Sequence, residues 1–201
     1  MAPCARDEGG SGASLGESKD AAAISDETQD NHMIDPTFVR TMARYNCWQN
    51  ASLYAAADRL SDEERRKDRG AFLKSIHATL SHLLWADHMW LSRISDAPPP
   101  SARLQESGTY RDDWETLKQD RLACDERLIK WADGAIDEWL IGELVWRSGI
   151  IQAELTRPKW LVVNHIFNHQ THHRGQVHAM LTTAGARPQN TDLILMEPFT
   201  T

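Results

Sequence analysis

Asn164-His165-Ile166-Phe167-Asn168-His169-Gln170-Thr171-His172-His173-Arg174-Gly175-Gln176 is the stretch on which the reading of this chain turns. It lies in an uninterrupted run that reads as one long helix, with Pro158 in its first turn and Gly185 as its stop. A helix advances about 100° per residue, so taking His165 as zero puts His169 near 40°, His173 near 80° and His172 near −20°. Val162, Ile166, Val177 and Met180 fall between about 60° and 120° on the same count. His169 and His173 therefore face the interior, while His165 and His172 lie at its edge. Gln176, near 20°, is one turn beyond and is placed to donate a hydrogen bond to its histidine neighbours. Two inward imidazoles four residues apart can grip one metal ion, and a third ligand from elsewhere would leave a position open, as catalytic sites do.

Working outward, Asp35-Pro36 is a helix start, an acidic N-cap followed by proline at the first helical position. This helix is expected to reach about Leu60 on a stripe of Val39, Met42, Ala43, Asn46, Asn50, Leu53, Ala57 and Leu60. Asn46 and Asn50 fall at its centre, where two amides either tie the core together or line a polar pocket. Ser61-Asp62-Glu63-Glu64 has a capping-box pattern. A second long helix is expected from Ala71 to Ile94, before Pro98-Pro99-Pro100, on Phe72, Ile76, Leu80, Leu83, Trp90 and Ile94. Asp87 falls in that stripe, with His77, His82 and His88 to its sides. Ser107 or Thr109 would cap a third helix carrying Tyr110, Trp114, Leu117, Cys124, Leu128 and Trp131. Between Trp139 and Leu155 the pattern changes to two short strands around Ser148-Gly149. The sum is an all-α fold, a four-helix bundle with a short β-hairpin inserted before the last long helix.

Length and composition narrow the function. At 201 residues the chain suits one well-buried domain, expected over residues 34–201. Residues 1–33, rich in Gly, Ser, Ala and acids, read as a disordered N-terminal extension, with Met33 an alternative start. Seven acids against Arg6 and Lys19 give that extension −5 of the net charge of −7, so the domain is nearly neutral. A nucleic-acid partner is not expected without a basic footprint. No apolar run is long enough to span a bilayer, no signal peptide is apparent, and three scattered cysteines form neither a disulfide framework nor a thiolate zinc site. A cytoplasmic protein is the expectation.

Other histidine chemistries fail on pattern. None of the nine histidines has Glu three residues before it, as a di-iron bundle requires. His-Glu-x-x-His is absent, and so is a nucleophile elbow. The third ligand stays open by periodicity: His82, His77, His88 and Asp87 are all candidates.

Four motifs, in order, carry a resemblance. They are Tyr45-Asn46-x-Trp48-x-Asn50, the run from Ser75-Ile76-His77 through His82 and Asp87 to Trp90-Leu91, the run from His165 through Asn168-His169 and His172-His173-Arg174 to Gln176, and Thr191-Asp192-Leu193-Ile194. Together they resemble the DinB superfamily over residues 36–196, with Ser81 where the family often has Asn. The resemblance implies a four-helix bundle, commonly homodimeric, with one divalent metal ion (Zn, Ni, Fe or Mn) on His82, His169 and His173. Asp87 then becomes a buried hydrogen-bond partner, to Arg174 or to backbone. Asn46, Asn50, Asp87 and Gln176 would support the ligands or line a substrate pocket. Relatives that use low-molecular-weight thiols imply a metal-dependent thiol S-transferase or related hydrolase acting on a small electrophile. The alternative is a non-catalytic metal-binding or stress-response bundle.

Overall fold

Short polar side chains start the first four α-helices of this chain. Asp35 accepts the Phe38 N–H at 2.7 Å and α1 (Pro36–Ala57) follows; Ser61 caps the short α2 (Asp62–Arg66). Ser75 accepts the Ala78 N–H at 3.1 Å ahead of α3 (Ile76–Ile94), and Asp113 accepts the Thr116 N–H at 2.8 Å ahead of α4 (Trp114–Asp133). Each satisfies a backbone donor that the first turn leaves orphaned. One turn of helix, α5 (Asp137–Leu140), then leads into the antiparallel hairpin β1 (Glu143–Arg147) and β2 (Glu154–Pro158), in a register that opposes Val145 to Thr156. The last long helix, α6 (Lys159–Thr183), ends in a Schellman motif. Gly185 takes φ +81°, Ala186 N–H donates to Leu181 C=O and Gly185 N–H to Thr182 C=O, both at 3.0 Å. The structure, a computed structural model, describes residues 33–197. Apart from Met33, the expected N-terminal extension lies outside the described residues.

The all-α bundle with its hairpin insert stands as read, but several boundaries move. The second long helix begins at Ile76 rather than Ala71, because Lys74 adopts a left-handed φ of 68° and bridges back to Ala71. That tight turn turns Phe72 out to solvent at 79% exposure, so it is not a core residue. The next long helix starts at Trp114, not near Ser107 or Thr109, which belong to a separate 3-10 turn over Leu104–Thr109. Asp113 is the stronger cap there: it binds both the backbone N–H and the hydroxyl of Thr116. The strands are shorter than expected, since Trp139 and Leu140 fall in α5 and Ile150 and Ile151 in the exposed connection. Pro158 ends β2 instead of opening α6.

The long helices pack in a ring, α1 against α4 and α6, and α3 against the same two, with the hairpin against α3 and α6. Leu53, Leu80, Leu84, Leu117, Leu128, Val163, Phe167 and Leu181 fill the centre. Among them lies a polar knot with a contribution from every long helix. Arg121 of α4, 3% exposed, pairs with Asp87 of α3 at 2.6 Å and with Asp125 at 2.9 Å. Gln170 of α6 donates to Asp87 at 2.6 Å, and Asn50 of α1 donates to Asp125 at 2.9 Å. A buried charge is tolerable only when paired and hydrogen-bonded in this way. The chain then returns along α1, where Tyr45 and Gln49 donate to the carbonyls of Thr191 and Asn190 and Ser52 accepts from Gln189. Among the described residues no helix is long and apolar enough to cross a membrane.

Breaking the knot by Arg121→Met strands two buried carboxylates and is expected to cost about 3–5 kcal/mol in urea unfolding. Lys67→Ala, which removes the exposed Lys67–Glu64 pair, should leave the urea midpoint nearly unchanged. Equal effects would show that the knot is not a structural keystone.

Candidate metal centre

The buried face of α6 explains where its histidines point. Val162, Val163, Ile166, Phe167, Gln170, His173, Arg174, Val177, Met180 and Leu181 are buried. On the count that starts at His165 they cover about 60° to 200°, a wider arc than the apolar residues alone suggested, because α6 packs on both α1 and α3. His173 falls just inside that arc and His169, half-buried, at its rim. His82 of α3 faces them across the helix pair. The ring nitrogens of His82, His169 and His173 lie within 4.8 Å of one another, with His82 Nε2 and His169 Nε2 at 3.4 Å.

Hydrogen bonds orient two of the three imidazoles. Gln176 Oε1 can only accept, so His173 Nδ1–H donates to it at 2.9 Å and leaves Nε2 as a lone pair. The Gln176 amide then donates to His172 Nε2 at 3.2 Å. Gln176 thus acts as acceptor toward His173, and its expected donation goes to His172. His82 Nδ1 is held by Ser107 Oγ at 2.8 Å, which turns Nε2 toward the other two rings. Burial, with His173 nearby, pushes the His82 pKa down to about 4; burial and neighbouring imidazoles push His169 down to about 3; burial also lowers His173. All three are neutral at pH 7, the form that ligates a metal. A tetrahedral ion with bonds of roughly 2.05 Å sets its nitrogens about 3.3 Å apart, close to the His82–His169 separation. The donor set fits a divalent ion, and the three-histidine cluster can hold one.

The remaining candidates are engaged elsewhere. His77 Nε2 meets the Arg111 carbonyl at 2.9 Å and His88 Nδ1 the Tyr110 hydroxyl at 3.0 Å. Asp87 bonds to Arg121 and Gln170 rather than to Arg174 or backbone. Asn46 and Asn50 turn to Asp125, at 3.5 Å and 2.9 Å, so they act as ties within the core. Cys124 is buried, its thiol pushed up to about 12, and Cys47 is raised as well, so neither supplies a thiolate near neutral pH. Sequence reasoning passed over Gln170, Arg121 and Asp125, and named Ser107 only as a helix cap. Arg121 could have been noticed, since it fills the core position between Leu117 and Cys124 at helical spacing; nothing in the sequence announces the contact of Ser107 with His82.

His82 and His169 open onto a cleft of about 1080 Å³ between α3, the N-terminal half of α6, the hairpin and the segment at 100–105. Trp85, Trp90 and Trp146 wall it, and His165 stacks edge-on against Trp90 at 5.1 Å.

His169→Ala and His173→Ala should each abolish stoichiometric metal binding in calorimetric titration, while His172→Ala leaves it intact and Gln176→Leu weakens it about 10–100-fold. Loss of binding in His172→Ala alone would mean that the helix is phased wrongly. The metal-free protein should also lose stability as pH falls from about 6.5 toward 4. In that window the unfolded histidines bind protons that the folded ones, with lowered pKa values, refuse. Thermal melts of the His82/His169/His173 triple alanine variant should show a shallower slope between pH 6.5 and 5; an unchanged slope would contradict this.

Comparison with known proteins identifies the family. The sequence pattern of the DinB family matches residues 33–200. The chain is 28% identical over 163 residues to Protein DinB of Bacillus subtilis (strain 168), covering 77% of this chain and 91% of that protein. The crystal structure of a DinB-like protein from Bacillus cereus ATCC 10987 aligns at 18% identity and a TM-score of 0.47, covering 74% of this chain and 94% of the other. A match that spans the whole described domain places this chain in the DinB family.

Proposed function

We propose that this chain is a metal-dependent enzyme that transfers a low-molecular-weight thiol to a small electrophile, or hydrolyses a related substrate, with His82, His169 and His173 holding one divalent ion. The carrying observation is the opening of His82 and His169 onto the cleft. A structural site would be closed on all sides, whereas three imidazoles beside a large cleft leave room for an exchangeable ligand. A divalent ion on neutral imidazoles keeps its charge and lowers the pKa of a thiol or water bound to it.

The chain's own residues do the rest. Gln176 holds His173 in one tautomer, and Ser107 holds His82 in the orientation that turns Nε2 toward the other rings. The tryptophan walls exclude water and give an apolar substrate a surface. Among the described residues Cys124 is buried and both cysteines are raised in pKa, so on this reading the reacting thiol belongs to a small molecule. The donor set accepts zinc, nickel, iron or manganese alike.

Protein loaded with each of these metals, incubated with a panel of low-molecular-weight thiols and aryl halide, epoxide and thioester acceptors, should show conjugation or hydrolysis that the triple alanine variant lacks. Bound metal without metal-dependent turnover across the panel would favour the non-catalytic metal-binding reading.

A further inference from the structure

The cleft carries a charge pattern that the histidines do not use. Its lining includes Arg93, Arg103, Arg147 and Arg157 and no aspartate or glutamate, although the chain as a whole has a net charge of −7. Arg103 meets Glu106 at 3.7 Å within its own 3-10 turn, and Arg157 donates to the neighbouring Thr156 carbonyl. Arg93 is different. Its guanidinium lies 4.5 Å over the Trp90 ring and 5.6 Å from that of Trp146, half-buried, and it has no carboxylate partner among the described residues. A guanidinium stacked on indole keeps its edge free, and that edge matches a carboxylate, sulfonate or phosphate group. A cleft of one sign with apolar walls also concentrates ligands of the opposite sign.

We propose that the cleft receives a small organic anion, its apolar or aromatic body against Trp90 and Trp146 and its acidic group on Arg93, with Arg147 and Arg157 of the hairpin drawing it in. This rests on the preceding reading for its consequence, that the thiol or the acceptor presented to the histidines is negatively charged. The cleft volume suits a molecule of drug-like size rather than a bare ion. The hairpin, packed against α3 and α6, becomes the wall that selects charge.

The test uses a matched pair of fluorescent ligands, the anionic 1-anilinonaphthalene-8-sulfonate and the neutral N-phenyl-1-naphthylamine, titrated into metal-loaded protein and into the triple alanine variant. The anion should bind about tenfold more tightly than the neutral ligand in both, and only its affinity should fall between low and high salt. Arg93→Gln should reduce the preference to within about twofold, and Arg93→Lys should retain part of it. The exposed Arg147→Gln/Arg157→Gln pair, which removes no core contact, should lower the anion's affinity without moving the neutral ligand. Displacement by 2-naphthoate would assign the charge to the acceptor and displacement by glutathione to the thiol. Equal affinity for the two dyes, an unchanged preference in Arg93→Gln, a preference that vanishes in the triple variant, or displacement by neither competitor would overturn the proposal. Turnover with no anion preference would sink the anion site alone, whereas anion preference without metal-dependent turnover would sink the enzymatic reading alone.

Discussion

The Arg121 guanidinium, a full positive charge at the middle of an apolar bundle, is the constraint that orders the rest. It cannot stay there unpaired, so α3 and α4 each bring a carboxylate to it, and α1 and α6 bring amides to those carboxylates. Apolar side chains alone would allow the helices to slide or rotate at small cost; directional bonds to a buried charge do not. The Gln170–Asp87 bond sets the height and rotation of α6 against α3. Those two helices run antiparallel, so moving back along α3 from Asp87 to His82 matches moving forward along α6 from Gln170 to His173. The three imidazoles meet about one turn from the knot, on the rim that faces the cleft.

This separation of tasks is physical. The knot is buried and its charges are paired, and it fixes geometry. The histidine cluster is desolvated enough to stay neutral, yet two of its members border open space. A cluster inside the knot would have no access, and one on the outer surface would titrate near its ordinary pKa and lose its ligating form in mild acid. Gln176 and Ser107 add the orientation that burial alone does not give. The hairpin then closes one side of the cleft with Trp146 and arginines, so the approach to the imidazoles has both shape and sign.

Much of this was legible in the sequence because helical spacing and caps are local. The fold class, the hairpin's place in the chain, the caps at Asp35 and Ser61 and the inward turn of His169 and His173 follow from periodicity. The choice of His82 did not, since Asp87 lies nearer the apolar stripe of its helix; it came from the resemblance. What stayed hidden depends on contacts distant in the chain. Nothing local tells that Asp87 meets Arg121 or that Asn50 meets Asp125, and a search for apolar stripes passes over charged residues that complete a core. Phe72 misled for the opposite reason: it continues the stripe of α3 in register, but the left-handed Lys74 breaks the helix before reaching it. The arc of α6 was read too narrowly because only its apolar residues were counted, and Gln170 and Arg174 are buried there as well.

The central claim is an open three-histidine centre, and X-ray absorption at the metal edge tests it most directly. For the zinc-loaded protein the account predicts about three imidazole nitrogens at roughly 2.0–2.1 Å and one light scatterer, replaced by sulfur near 2.3 Å when a thiol is added. A fourth protein ligand that no thiol displaces, or fewer than two imidazoles at the metal, would contradict it.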